Sequence, residues 1–111
     1  MLSGLLPGTL DVLVLRALSA GPNHGYGVAR WVRDATSGAL VIEEGALYTA
    51  LHRLEKAGLL LARWKPSETG RRAKYYALTP AGRRVLKEQT TTWRRSAAAL
   101  IKVLGGPRET T

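Results

Sequence analysis

The spacing of apolar residues predicts four helices in this chain. Leu47, Leu51 and Leu54 recur at i, i+4 and i+7, which gives one apolar face to a helix that ends at Gly58. The same analysis predicts three further helices, over residues 9–19, 24–36 and 80–104. The chain should therefore be mainly helical.

Polar residues and a proline mark where these helices begin. Thr9 and Asn23 are typical N-cap residues, and we expect them to cap the first and second helices. Pro80 follows Thr79, and proline suits the first helical position because its missing N–H is not needed there. The fourth helix should therefore start at Pro80.

Between the third and fourth helices the pattern becomes extended. Residues 59–65 and 73–78 are typical of strands, and the polar, glycine-containing segment 66–70 predicts the turn of a hairpin between them. We also expect residues 40–42 to pair briefly with this hairpin. The resulting order of elements is that of a winged helix-turn-helix, a mainly α (α+β) fold.

A length of 111 residues indicates one domain with a modest core. We expect residues 1–79 to form a winged helix-turn-helix DNA-binding domain and residues 105–111 to form a flexible tail. Residues 80–104 should form a C-terminal dimerisation helix continuous with that domain. Such a helix would be ~37 Å long, more than so small a domain can cover.

An apolar stripe on the long helix, together with the first helix, predicts a homodimer. The expected interface residues are Leu10, Leu13, Leu86, Trp93, Ala97, Leu100, Ile101 and Leu104. Two-fold symmetry would present two recognition helices about one DNA turn apart, ~34 Å, as in dimers that read palindromes.

The net charge of +9 is confined to one part of the chain. Residues 53–95 contain 12 of the 17 Lys and Arg but only three of the eight Asp and Glu, so this window carries the whole net charge. A basic surface of this kind favours a polyanionic partner such as double-stranded DNA.

Other residue types exclude several classes of function. The chain has no Cys, so it has no disulfide or thiolate metal site, and two His residues make a poor metal cluster. We expect no cofactor, no metal and no enzymatic activity, because no nucleophile, carboxylate pair or phosphate-binding glycine loop is recognisable. The absence of Cys and of a membrane-length apolar run favours a cytoplasmic protein without a membrane partner.

The candidate DNA contacts lie on the third helix and the hairpin. Tyr48, Thr49, His52 and Arg53 fall on the outer face of the third helix, where Arg can bind guanine and His a phosphate. Arg71, Arg72 and Lys74 near the hairpin tip should contact the DNA backbone or minor groove. Tyr26, at the start of the second helix, could bind a phosphate.

Five motifs in order resemble the PadR-type transcriptional regulators over residues 6–104. They are Gly8-Thr9-Leu10-Asp11, His24-Gly25-Tyr26-Gly27, Glu43-Glu44-Gly45-Ala46-Leu47-Tyr48, Leu51-His52-Arg53-Leu54-Glu55-Lys56-Ala57-Gly58 and Arg71-Arg72-Ala73-Lys74-Tyr75-Tyr76-Ala77-Leu78-Thr79-Pro80-Ala81-Gly82. The single C-terminal helix resembles the compact subgroup of the family. The resemblance implies a winged-helix dimer that represses transcription and is joined through its first and last helices.

The resemblance also extends to the recognition helix, with two departures. The family usually has Ser at the position of Ala46 and Pro at that of Thr49, both on the recognition helix. The resemblance therefore implies DNA contact at Ala46 and Thr49 but does not carry over an operator sequence.

A small aromatic or drug-like effector is a further hypothesis from the resemblance. Trp93 and its symmetry mate could bracket a flat ligand, as in some compact PadR-like regulators, with Val12 and Arg16 lining the same space. The alternative is that Trp93 only fills the dimer core. Two other functions also stay open: an RNA-binding winged helix, and a module that binds a protein partner through the long helix.

Overall fold

The computed structural model describes residues 8–105, which form four helices and a small three-stranded sheet. The elements in chain order are α1 (Thr9–Ser19), β1 (Asn23–His24), α2 (Gly25–Ala35), α3 (Glu44–Lys56), β2 (Leu60–Pro66), β3 (Arg72–Leu78) and α4 (Pro80–Leu104). The described part measures 53 × 28 × 22 Å. The predicted mainly α (α+β) winged helix-turn-helix fold is confirmed.

The apolar faces of the first three helices meet in one core beneath the sheet. The largest fully buried side chains are Val14, Leu15, Leu18, Val28, Val32, Leu47, Leu51 and Leu60. The face of α3 predicted from its leucines is therefore the buried one, because Leu47, Leu51 and Leu54 all belong to this core. Burial of that face leaves the opposite side of α3 in solvent.

The sheet is antiparallel, with strand order β1-β3-β2. Strands β2 and β3 form the predicted hairpin, which we call the wing (residues 60–78), and Leu60 pairs with Leu78 while Pro66 pairs with Arg72. In the turn, the Gly70 N–H donates to the Ser67 carbonyl at 2.9 Å, and the positive φ of Gly70 (84°) suits glycine.

The prediction that residues 40–42 pair with the wing is wrong. The third strand is β1, where Asn23 pairs with Tyr76 and His24 with Tyr75 along the other edge of β3. Residues 40–42 are not part of a strand, and Ile42 is instead buried in the core two residues before α3 begins.

Two of the predicted helix caps are also wrong. Gly8 is the N-cap of α1 and Thr9 is its first residue, so the Thr9 hydroxyl is used elsewhere: it accepts a hydrogen bond from Trp93. His24, rather than Asn23, is the N-cap of α2, while the Asn23 side chain accepts from the His24 N–H at 2.9 Å.

The start of α4 is as predicted and is fastened to the end of α3. The Thr79 hydroxyl accepts from the Gly82 N–H at 3.0 Å and donates to the Gly58 carbonyl at 2.7 Å. A Cβ atom at buried Gly82 would collide with the Leu59 backbone carbonyl, so glycine permits this close approach.

The far end of α4 projects into solvent. Its last turns expose Leu100, Ile101, Val103 and Leu104, and the helix ends at Gly105. The predicted flexible tail, residues 105–111, lies outside the described residues apart from Gly105.

Candidate nucleic-acid interface

The exposed face of α3 carries every side chain that the sequence predicted for it. Ala46, Tyr48, Thr49, His52 and Arg53 are all exposed, whereas the leucines between them are buried. With α2 before it, α3 is in the position of the recognition helix of a helix-turn-helix. The exposed face can therefore reach the edges of base pairs in a major groove.

The Tyr48 ring packs against the start of α2, and this contact is possible because Gly25 has no side chain. A Cβ atom at Gly25 would lie 2.8 Å from the Cε1 atom of the Tyr48 ring, closer than such atoms approach in proteins. The ring therefore lies directly against the backbone of α2 while 47% of the residue remains exposed. Tyr26, one residue further along α2, is 65% exposed and lies at the same end of the helix.

His24 connects the start of α2 to the wing. Its Nδ1 atom accepts from the Gly27 N–H at 3.0 Å, and its Nε2 atom lies 3.3 Å from Oε1 of Glu68 in the wing turn. Because Nδ1 is an acceptor, the ring proton belongs on Nε2, which then donates to Glu68. The Tyr75 hydroxyl also donates to Glu68, at 3.4 Å.

Hydrogen bonds to the Glu68 carboxylate favour its charged form. Its pKa is lowered, first by a hydrogen bond from its own backbone N–H and then by the hydrogen bond to His24. The hydrogen bonds from His24 and Tyr75 to Glu68 therefore connect the wing turn with the start of α2 and with β3.

The three basic residues predicted on the wing differ in their surroundings. Arg71 and Arg72 are exposed at the wing tip. Lys74 instead donates to Oε1 of Glu55 on α3 at 2.9 Å, and this hydrogen bond raises the pKa of Lys74. Lys74 thus joins the wing to the recognition helix, and its contact with DNA stays a prediction.

Arg53 also has a partner within the chain. Its Nη2 and Nη1 atoms donate to Oδ1 and Oδ2 of Asp11 on α1 at 2.6 and 2.9 Å, a bidentate ion pair between helices. The hydrogen bonding that Arg53 donates to Asp11 is the main reason that the pKa of Arg53 is raised. A guanine contact by Arg53 therefore stays a prediction, and making it requires the side chain to leave Asp11.

A groove of about 720 Å³ separates the start of α2, the recognition helix and the wing. We call it the wing groove; it is lined by His24, Gly25, Tyr26, Arg30, Tyr48, Trp64, Ser67, Glu68, Thr69, Arg71, Arg72, Ala73 and Lys74. It brings together Tyr26, Tyr48 and the three predicted basic residues of the wing. Sequence reasoning missed Arg30 and Trp64, although the alternation of β2 indicates which face of the wing Trp64 is on.

The three residues predicted for an effector also lie together. Val12, Arg16 and Trp93 line a groove of about 460 Å³ between α1 and α4. A second groove of about 510 Å³ also contains Val12 and Trp93. The Trp93 Nε1–H donates to the Thr9 hydroxyl at 3.0 Å, which fixes the ring orientation between the two grooves.

Trp31, whose role the sequence did not indicate, also faces α1. It is partly buried against the core, and the Arg16 guanidinium lies 5.9 Å from its ring centroid. Arg16 thus contacts Trp31 and the groove beside Trp93 at the same time.

The predicted dimer residues divide into two groups. Leu10, Leu13, Leu86, Trp93 and Ala97 are partly buried, and Leu100, Ile101 and Leu104 are exposed. The apolar stripe therefore continues beyond the part of α4 that packs within the chain.

Residues 8–105 contain neither a candidate membrane span nor a candidate metal cluster. No described helix is long and apolar enough to span a membrane. No group of three or more His, Asp or Glu side chains in this range is arranged to hold a metal ion.

Comparison with known proteins shows similarity over most of the chain. The structure is similar to that of a transcriptional regulator from Clostridium thermocellum, with a TM-score of 0.80, 32% identity and coverage of 90% of this chain and 94% of the other. A PadR family regulator from Clostridium difficile gives a TM-score of 0.75 at 31% identity, with coverage of 88% and 100%.

Sequence similarity leads to the same family. A transcriptional regulator of Mycobacterium tuberculosis is 41% identical over 70 residues, which cover 62% of this chain and 61% of that protein. Residues 14–88 match the family described as transcriptional regulator PadR-like. The chain therefore belongs to the PadR-like family of transcriptional regulators, and its class is that of a regulator rather than an enzyme.

Proposed function

We propose that this chain is a homodimeric repressor that binds a palindromic operator in double-stranded DNA. The observation that supports this most strongly is the exposed face of α3 beside a groove whose opposite wall carries Arg71 and Arg72. A helix that can enter a major groove, next to cations that can contact phosphates, supplies the two kinds of contact that specific binding needs.

The proposed contacts divide into base reading and backbone positioning. Ala46, Tyr48, Thr49 and His52 on α3 are the candidates for contact with base edges or adjacent phosphates. Arg71 and Arg72 on the wing and Tyr26 on α2 are the candidates for the backbone or minor groove. Arg53 is a further candidate for base contact, and Lys74 is a further candidate for backbone contact. To bind DNA, Arg53 would have to leave Asp11, and Lys74 would have to leave Glu55.

The proposed dimer is formed by α1 and α4. The exposed end of α4 presents Leu100, Ile101 and Leu104, whose burial against a second copy would be favourable at ~25 cal/mol per Å² of apolar surface. A two-fold pair of recognition helices would match the two halves of a palindrome.

We further propose that a flat aromatic effector binds beside Trp93 and changes the dimer. Trp93 has a groove on each side, and Val12 lines both of them. A ligand stacked on the Trp93 ring would contact α1 and α4 together, so it could favour one arrangement of these helices over another. Quenching of tryptophan fluorescence by flat aromatic compounds, lost in Trp93→Ala, would support this site.

The first experiment is fluorescence anisotropy with the protein's own promoter duplex and a random duplex across a salt series. We expect tight binding to the promoter at moderate salt and a steep loss of affinity as salt rises, because bound phosphates release counterions. Equal, salt-sensitive binding to both duplexes would reject specific regulation of that promoter.

A single-stranded RNA probe added to this assay, together with a measurement of molecular mass, separates the remaining alternatives. Preference for single-stranded RNA over duplex DNA would indicate an RNA-binding winged helix, and a monomer that binds no nucleic acid would indicate a protein-binding module.

A regulator that binds the chromosome of a bacterium works in the cytoplasm, and we propose that location for this protein.

A further inference from the structure

We propose that Trp64 is a DNA-contacting residue that packs its ring against the sugar–phosphate backbone of the duplex. This inference rests on the proposed function, because it adds an apolar contact to the cationic ones already assigned to the wing. It concerns the face of β2 that carries Trp64 and lies toward the wing groove, a face to which the sequence analysis assigned no role.

The alternation of β2 places Trp64 on the same face as Leu60 and Ala62. Leu60 is fully buried in the core and Ala62 is half-buried, but Trp64 is 59% exposed. The apolar face of β2 therefore extends beyond the core and ends in a large exposed ring. Removing such a ring from water is favourable when a partner covers it.

The surroundings of Trp64 indicate what that partner is. Trp64 is the cross-strand partner of Lys74, and both line the wing groove with Arg71 and Arg72. Among the described residues that line this groove, Glu68 is the only acid. An aromatic ring surrounded by cations fits a chain of sugars and phosphates better than it fits an apolar protein surface.

The other wall of the groove also favours DNA. Tyr48 on the recognition helix lines the same groove, so a duplex whose major groove receives α3 brings its backbone toward Trp64. A ring that packs on deoxyribose carries no information on base sequence and releases no counterion. Its contribution should therefore be equal on all duplexes and independent of salt.

The test compares Trp64→Ala and Trp64→Phe with a matched control on the same strand. Leu61 is 63% exposed and lies on the opposite face of β2, so Leu61→Ala removes an equally exposed apolar side chain that faces away from the groove. Each protein is titrated into promoter and random duplexes at several salt concentrations, and circular dichroism checks that each variant is folded.

We expect Trp64→Ala to weaken binding to both duplexes about tenfold, within the range seen when stacked aromatic residues are removed from nucleic-acid sites. The dependence of affinity on salt should stay that of the wild type, Trp64→Phe should retain most of the affinity, and Leu61→Ala should bind normally. Tryptophan fluorescence of the wild type should also become less accessible to acrylamide on DNA, and this protection should be lost in Trp64→Phe.

Three results would overturn the inference while leaving the proposed function intact. They are wild-type affinity in Trp64→Ala, equal losses in Trp64→Ala and Leu61→Ala, and a loss in Trp64→Ala that is confined to the promoter. If the wild-type protein binds no duplex at all, the proposed function fails first and the inference fails with it.

Discussion

The ion pair between Asp11 and Arg53 gives the most direct test of how α1 and the recognition helix are coupled. Its two hydrogen bonds of 2.6 and 2.9 Å have bidentate geometry, but the Arg53 side chain is 56% exposed and that of Asp11 is 16% exposed. Exposed pairs contribute about 0.2–1 kcal/mol after solvent screening, and bidentate geometry favours the upper end of that range. We therefore expect a coupling energy of about 1 kcal/mol.

A double-mutant cycle measures this energy without assigning it to either residue. The single variants Asp11→Ala and Arg53→Ala and the double variant are unfolded in urea at one protein concentration, because the stability of the proposed dimer would depend on concentration. Asp11→Ala should cost about 0.3–1 kcal/mol more than the pair alone, because Asp11 also lies in the first turn of α1. This extra cost cancels in the cycle, and the sum of the two single losses should exceed the loss in the double variant by the coupling energy of about 1 kcal/mol.

A second cycle on Arg33 and Asp34 is the matched control. These neighbours are separated by 3.6 Å between Nε and Oδ1, and both side chains are largely exposed. Their coupling should be close to zero. Equal coupling energies in the two cycles would refute the argument that the bidentate pair connects α1 to α3.

The same variants test whether Arg53 contacts DNA. Leaving Asp11 costs Arg53 about 1 kcal/mol, so Asp11→Ala should bind the operator about fivefold more tightly if Arg53 reads a base. Arg53→Ala should then reduce the difference between operator and random DNA. Unchanged or weaker operator binding by Asp11→Ala would instead make Arg53 a positioning residue of the recognition helix.

Three further predictions concern stability, assembly and backbone contact. Gly82→Ala should destabilise the protein by about 1–3 kcal/mol in thermal or urea unfolding because its Cβ would collide with the Leu59 carbonyl, whereas Gly45→Ala, at an open helical site, should be neutral or stabilising. If the protein is the proposed dimer, Ile101→Glu should shift it to a monomer in light scattering after size exclusion, and an unchanged dimer mass would exclude the end of α4 from the interface. Arg72→Ala should weaken binding to all duplexes alike and lower the salt slope by about 1, and a loss restricted to the operator would contradict a backbone role.

The sequence predicted those parts of the fold that repeat a local pattern. The leucines of α3 recur at helical spacing, and the strands of the wing flank a recognisable turn, so the sequence predicts both elements and the exposed face of α3. Strand β1 has two residues, too few for any alternation to be visible. Its Asn23 is typical of a helix cap, so the local pattern predicts a cap there and not a strand.

Contacts between distant residues could not be predicted in the same way. Asp11 and Arg53 are 42 residues apart, and each has an ordinary role in its own helix: an acid in the first turn and a base in the last. His24 and Glu68 are 44 residues apart. His24, the N-cap of α2, also pairs with Tyr75 of the distant strand β3. Trp64 is a different case, because its shared face with Leu60 was visible in the alternation of β2.

The junction at Thr79 determines how motion of α4 would reach DNA. Thr79 joins Gly58 to Gly82, so the end of the recognition helix and the start of α4 are connected through one hydroxyl. If two α4 helices form the interface as proposed, a rotation of α4 by about 10° about its far end displaces its start by about 6 Å over its ~37 Å length. The two half-sites of an operator lie ~34 Å apart on one face of the duplex. A displacement of this size in each subunit would prevent the two recognition helices from entering both half-sites together.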